Sequence, residues 1–185
     1  MDRPAALVVY ESMFGNTEAV ATAVAEGLRL EGVEPTVVEA RLAPHAVPRD
    51  LGLLVVGAPT HAFSLSRPAT RQDAVSQGAV PERADLGVRE WLESCRHDRR
   101  TPVALAAFDT RVSRVRWLPQ SAAVAAVRIA RRHAFHVVAR PAGFVVEDIK
   151  GPLRDGELDR AVAWGRELAT GVQDRAAVAH LGTHE

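Results

Sequence analysis

Three uninterrupted apolar runs decide most of what this chain can become: "AALVVY" (5–10), "LGLLVVGAP" (51–59) and "TPVALAAF" (101–108). None alternates apolar with polar residues, so each predicts a strand buried on both faces. All are far shorter than the roughly 20 residues that span a bilayer. Two further runs, 34–40 and 136–148, bring the expected strands to five. Helical patterns lie between them. In 17–31, Val20, Ala23, Val24, Gly27 and Leu28 share one face, and in 85–96 Leu86, Val88, Trp91, Leu92 and Cys95 do so. Segment 121–134 sets Val124, Val127 and Ile129 against Arg128, Arg131 and Arg132, and 156–170 lines up Leu158, Ala161, Val162, Gly165 and Leu168. Such alternation predicts an α/β fold, a doubly wound five-stranded parallel sheet covered by helices on both faces.

Ligands of such folds sit beyond the carboxyl ends of the strands. That singles out the loops 11–17, 58–68 and 109–120. At 185 residues the chain suits one domain, taken as 1–171, with 172–185 as a frayed or packing tail. The stretch 64–84 is long and polar for a connection, and reads as a lid, an interface segment or a partly ordered loop.

Lys+Arg and Asp+Glu number 23 each, which argues against nucleic acid as a partner. Lys150 is the lone lysine among those cations; heavy Arg and Ala usage points to a G+C-rich bacterial genome. The single cysteine, Cys95, excludes an internal disulfide, and its place on an apolar stripe predicts burial. His45, His61, His97, His133, His136, His180 and His184 show no metal-ligand spacing, so no metal is expected. No signal-peptide pattern opens the sequence, and the expected location is cytoplasmic, without membrane contact.

The join between the first strand and first helix, "SMFGNT" (12–17), carries the most chemistry. With the helix starting near Thr17, it offers the Ser12 and Thr17 hydroxyls, the Asn16 amide and several backbone N–H groups at a helix N-terminus. Helix amides without partners, together with the dipole, make an anion site there, and Gly15 permits close approach of a ligand. No lysine is present and both "GxxxxGK[ST]" and "GxGxxG" are absent, so one terminal phosphate suits the loop better than a polyphosphate. Alternatively, Ser12, Asn16 and Thr17 merely cap the helix.

Val8, Val9, Tyr10, Glu11, Ser12, Met13, Phe14, Gly15, Asn16 and Thr17, followed by Ala21 and Val24, resemble the flavodoxin signature at every constrained position. "GAPTHAF" after the third strand and "FVVEDIKGPL" at the fifth extend the resemblance. It implies a flavodoxin-like three-layer sandwich with strand order 2-1-3-4-5 that binds flavin mononucleotide (FMN). Ser12, Gly15, Asn16 and Thr17 would hold the phosphate, with Met13 and Phe14 giving backbone amides. Glu11 departs from the pattern, because a carboxylate must point away from a phosphate.

By the same resemblance Pro59 and Thr60 line the ribityl chain. His61 and Phe63 are candidate rings against the isoalloxazine; the alternatives are a solvent-exposed loop histidine and an apolar plug under the loop. Phe108, Asp109, Thr110, Arg111 and Trp117 belong to the third loop, "FDTRVSRVRWLPQ". Its Arg111, Arg114 and Arg116 are either solvated or paired, or they favour the reduced flavin. One cation at about 6 Å is worth roughly 3 kcal/mol at an effective dielectric of about 20. Low-molecular-weight tyrosine phosphatases need a cysteine in the first loop, and response-regulator receivers need an aspartate where Gly57, Ala58 and Pro59 stand; both are set aside. Expected functions are electron transfer or flavin-dependent reduction, with a redox partner protein or a small-molecule reductant or acceptor. A flavin-free interaction module and an NAD(P)H:quinone-type reductase stay open, as does a homodimer.

Overall fold

The computed structural model describes residues 5–98, 100, 103–113 and 120–181. Strands β1 (Ala5–Tyr10), β2 (Glu34–Glu39), β3 (Leu51–Pro59) and β4 (Ala104–Val112) pair in parallel in the order β2-β1-β3-β4. The continuous apolar runs explain this. Along β1, Ala6 and Val8 enter one core and Leu7 and Val9 the other, so neither face is left to water. Helices α1 (Asn16–Leu30) and α5 (Glu157–Leu181) cover the first face; α3 (Val88–Ser94) and α4 (Ala122–Arg132) cover the second.

The fifth lane completes the expected 2-1-3-4-5 order, but it is not the single strand expected over 136–148. It consists of β5 (His136–Val137) and β6 (Ala142–Val146), both beside β4. Between Val137 and Ala142 this lane advances five residues while β4 advances three, from Leu105 to Phe108. The surplus residues and Pro141, which has no N–H to donate, break the ladder. β6 then gives partners to β4 from Phe108 through Val112. With β3 pairing as far as Thr110 on the other side, this is why β4 outruns the expected end at 108 and carries Asp109, Thr110 and Arg111 on a strand instead of in a loop.

Two helices also differ from expectation. Segment 64–84 holds α2 (Pro68–Ser76) and a 3-10 turn at Pro81–Ala84. Each starts on a proline, whose fixed φ suits a first helical position, and the Arg67 N–H donates to Thr70 Oγ1. α5 continues to Leu181, past the end expected at 170, with Val172 buried. α1 and α5 cross at Gly27 and Gly165, where neither helix has room for a side chain. Cys95 is buried as anticipated, and burial pushes its thiol up to about 11.

Candidate functional site

A cleft of ≈ 310 Å³ opens beyond the carboxyl ends of β1, β3 and β4, at the lower end of the ~300–1,000 Å³ usual for ligand sites. Ser12, Met13, Phe14, Asn16 and Thr17 form one end, and Pro59, Thr60 and His61 a side. Thr110 and Arg111 form the floor, and Val112, Val146 and Ile149 continue it. α2 contributes the opposite wall through Thr70, Asp73, Ala74 and Gln77.

The capping alternative for the first loop does not hold. The N-cap of α1 is Gly15, in the left-handed region at φ 89°, and no side chain caps the helix. The first helical bond runs from the Ala19 N–H to Gly15 O, so the amides of Asn16, Thr17 and Glu18 precede the helical ladder. Ser12 Oγ instead accepts the Gly15 N–H at 3.1 Å and keeps its own proton to donate. Thr17 Oγ1 and Thr110 Oγ1 lie 2.8 Å apart and are both buried. Two touching hydroxyls hold two protons and use one between them, which leaves one for an acceptor in the cleft. Asn16 is tied down differently: its Nδ2 donates to Lys150 O at 3.1 Å, fastening α1 to the loop after β6.

Glu11 points away from this end. It is 2% exposed, and its Oε2 accepts the Val88 N–H of α3 at 2.9 Å. Burial raises its carboxyl above the usual 4.5, against the lowering influence of Ser66, the Val88 N–H and Arg71. No repulsive charge therefore faces the anion site from this residue.

The other expected residues divide. Thr60 lines the cleft, and its Oγ1 accepts the Ala122 N–H at the start of α4. His61 lines it too, with its pKa lowered by burial and by Arg71, and raised in part by Asp73. The chain turns tightly after it: His61 and Ser64 exchange backbone bonds, with Ala62 and Phe63 at φ 45° and 64°. Non-glycine residues there store strain of about 1–3 kcal/mol each. Arg89 of α3 grips the far side of this turn through Ser64 Oγ, Leu65 O and Ser66 O. Phe63 is directed outward, 47% exposed, and does not line the cleft.

Phe108 is core, not site. It is fully buried under Gly57, edge-on to Phe144 and Trp164 at 5.8 and 6.1 Å. Asp109 is buried as well and orients Arg111: Oδ1 accepts from Nε at 2.6 Å and Oδ2 from Nη2 at 2.9 Å, while Oδ2 also takes the Ala123 N–H. Arg111 thus reaches the cleft with its charge largely balanced. Trp117, Arg114 and Arg116 lie outside the described residues. Sequence reasoning missed the α2 wall; Pro68 was the one signal for a helix there.

The flavodoxin family profile matches residues 8–68. No curated protein sequence matches the chain. Among solved structures it is similar to a flavodoxin from the domain Archaea, with 19% identity and a TM-score of 0.62 over 91% of this chain and 99% of that one. Flavodoxin 1 from Bacillus cereus is similar at 16% identity and a TM-score of 0.60, over 90% and 97%. The rubredoxin oxygen:oxidoreductase of Desulfovibrio gigas gives 17% and 0.61, with 95% of this chain covering 38% of that chain. Among the described residues no helix is long and apolar enough to cross a membrane. The chain thus has the flavodoxin-like fold, with the same sheet order, and its residues 8–68, first loop included, match the flavodoxin profile.

Proposed function

We propose that the chain binds FMN in this cleft and serves in electron transfer or flavin-dependent reduction. The observation that carries the reading is the uncapped N-terminus of α1, which opens at the cleft beside hydroxyls with protons to spare. A phosphate monoester matches that donor set, because it accepts several hydrogen bonds and complements the helix dipole. Bound flavin would supply the redox chemistry. Ser12, Thr17 and the amides of Met13, Phe14, Asn16 and Thr17 would hold the phosphate, and Pro59 and Thr60 would flank the ribityl chain. His61 and the Val112, Val146 and Ile149 side chains would border the ring. The Asp109 carboxylate keeps Arg111 in place and tempers its pull on electrons.

The burial of Glu11 away from the loop removes one argument for a flavin-free interaction module; the arginines of the third loop are the other. The polar α2 wall, Thr70, Asp73 and Gln77, favours a small-molecule acceptor as second reading over a purely protein-directed carrier. The test is an absorption spectrum after loading with FMN and dialysis, followed by turnover with NAD(P)H and a quinone. Retained flavin bands support the reading, and turnover selects the reductase. A colourless protein that leaves FMN fluorescence unquenched refutes it.

A further inference from the structure

The segment 64–84 reaches behind the first loop as well as across the cleft. Arg83, on the 3-10 turn, donates from Nη1 to Ser12 O at 3.1 Å and from Nη2 to Glu18 Oε2 at 2.9 Å. It does not line the cleft. The turn that carries it is itself fixed. Buried Arg71 of α2 donates from Nε to Ala84 O at 3.0 Å and forks onto Glu90 of α3 at 3.2 and 3.3 Å. Met13, 3% exposed, packs among Ala74, Ala79 and Ala84 of the same segment. The first loop therefore rests on a brace of one ion pair, one carbonyl contact and one small apolar cluster.

The carbonyl contact has a directional effect. In a planar trans peptide, C=O and N–H point to opposite sides. Holding Ser12 O on Arg83 turns the Met13 N–H the other way, and the guanidinium charge polarises that peptide unit so that its N–H is a better donor. The 12–17 loop has no cation of its own; Arg83 brings one behind it, with its charge shared with Glu18.

We propose that Arg83 is a positioning residue that orients the Met13 amide and thereby makes the cleft selective for a flavin bearing a terminal phosphate. The inference rests on the flavin reading above. Its test is fluorescence titration of the full chain with FMN and with riboflavin, for wild type, Arg83→Ala and Arg83→Lys, with melting curves alongside. Wild type prefers FMN. Arg83→Ala should lose about tenfold in FMN affinity and leave riboflavin affinity little changed, and Arg83→Lys, with its charge in reach but no fork, should recover part of the loss. If Arg83→Ala does not fold, the same comparison is made on Arg83→Lys. Equal losses for both flavins, or no loss for either, overturn the proposal. A wild-type chain that binds neither flavin refutes the flavin reading itself, and the proposal falls with it.

Discussion

Alanine at Gly27 sets helix propensity against interhelical distance, and the sign of the result decides between them. Gly27 of α1 faces Gly165 of α5. A methyl on Gly27 would lie 3.0 Å from Gly165 Cα and from Arg166 N, and closer still to Val162 O. One on Gly165 would lie 3.2 Å from Gly27 Cα and closer to Val24 O. Unstrained carbon contacts sit at about 3.5–4.0 Å, and backbone atoms have no rotamer to move into, so the helices must part by roughly 1 Å. Propensity favours alanine by about 1 kcal/mol. Overpacking costs ~1–3 kcal/mol. Parting the seam also loosens Val24, Leu28, Ala161 and Leu168 in the core below, and a gap of that size forfeits about a quarter to a half of each dispersion contact. The upper part of the overpacking range therefore applies, and either single variant should lose about 1–2 kcal/mol net. For a chain of this size that lowers the melting temperature by roughly 2–8 °C. The double variant should lose less than the sum, because one separation admits both methyls. Urea unfolding followed by circular dichroism measures all four chains. A gain of about 1 kcal/mol in either single variant would refute the reasoning, since the two backbones could not then be in contact.

Three other perturbations test the site and its surroundings. Asp109→Asn keeps the shape of the side chain and removes the charge that holds Arg111; it should lose about 2–3 kcal/mol of stability, part of the pair being reached by water. It should also raise the reduction potential of bound flavin, and an unchanged potential would mean that Arg111 does not act on the ring. Glu11, whose carboxyl burial holds above 4.5, binds its proton more tightly in the folded than in the unfolded chain. Stability therefore falls as pH rises from 4.5 toward the folded value and gains nothing back above it. Glu11→Gln removes that slope, so its urea midpoint should improve relative to wild type as pH rises; a constant difference would contradict the assignment. Cys95, with its thiol raised to about 11, should resist aromatic disulfide reagents near neutral pH and react at once in urea, and fast labelling of the native chain would place it outside the core.

The parts of the fold that could be read from sequence are those whose cause is local. "AALVVY" and "LGLLVVGAP" are apolar on every residue, and both-face burial follows from that composition alone. The faces of α1 and α5 announce themselves by spacing, Gly27 and Gly165 included, although Leu158, counted on the α5 face, is 45% exposed in the first turn of the helix. The end of β4 was not legible, because Asp109, Thr110 and Arg111 are polar and join the strand through partners far along the chain, β3 as far as Thr110 and β6 through Val112. Phe108 was placed in the cleft for the same reason: moving the strand end by four residues carries a ring from a loop into the core. The divided fifth lane depends on a count against β4, which no window on 136–148 contains.

The candidate site shows the same division, and it bears on how much of this loop's behaviour is its own. Ser12, Thr17 and the glycine between them are within reach of a sequence pattern, because a helix N-terminus and its hydroxyls lie together along the chain. What holds the loop does not. Arg83 is 71 residues from Ser12 and 65 from Glu18, and Arg71 reaches Glu90 over 19. In the sequence these arginines look like solvated charges in a polar stretch. Folded, one is 1% exposed and the other clasps a carbonyl of the loop. A loop with matching residues but without that brace would present the same donors with less fixed directions. Ordering them would then fall on the ligand, at about 1–2 kcal/mol for each backbone residue. The 64–84 segment, which from sequence reads as a lid, an interface segment or a partly ordered loop, is on this argument part of what makes the first loop a site.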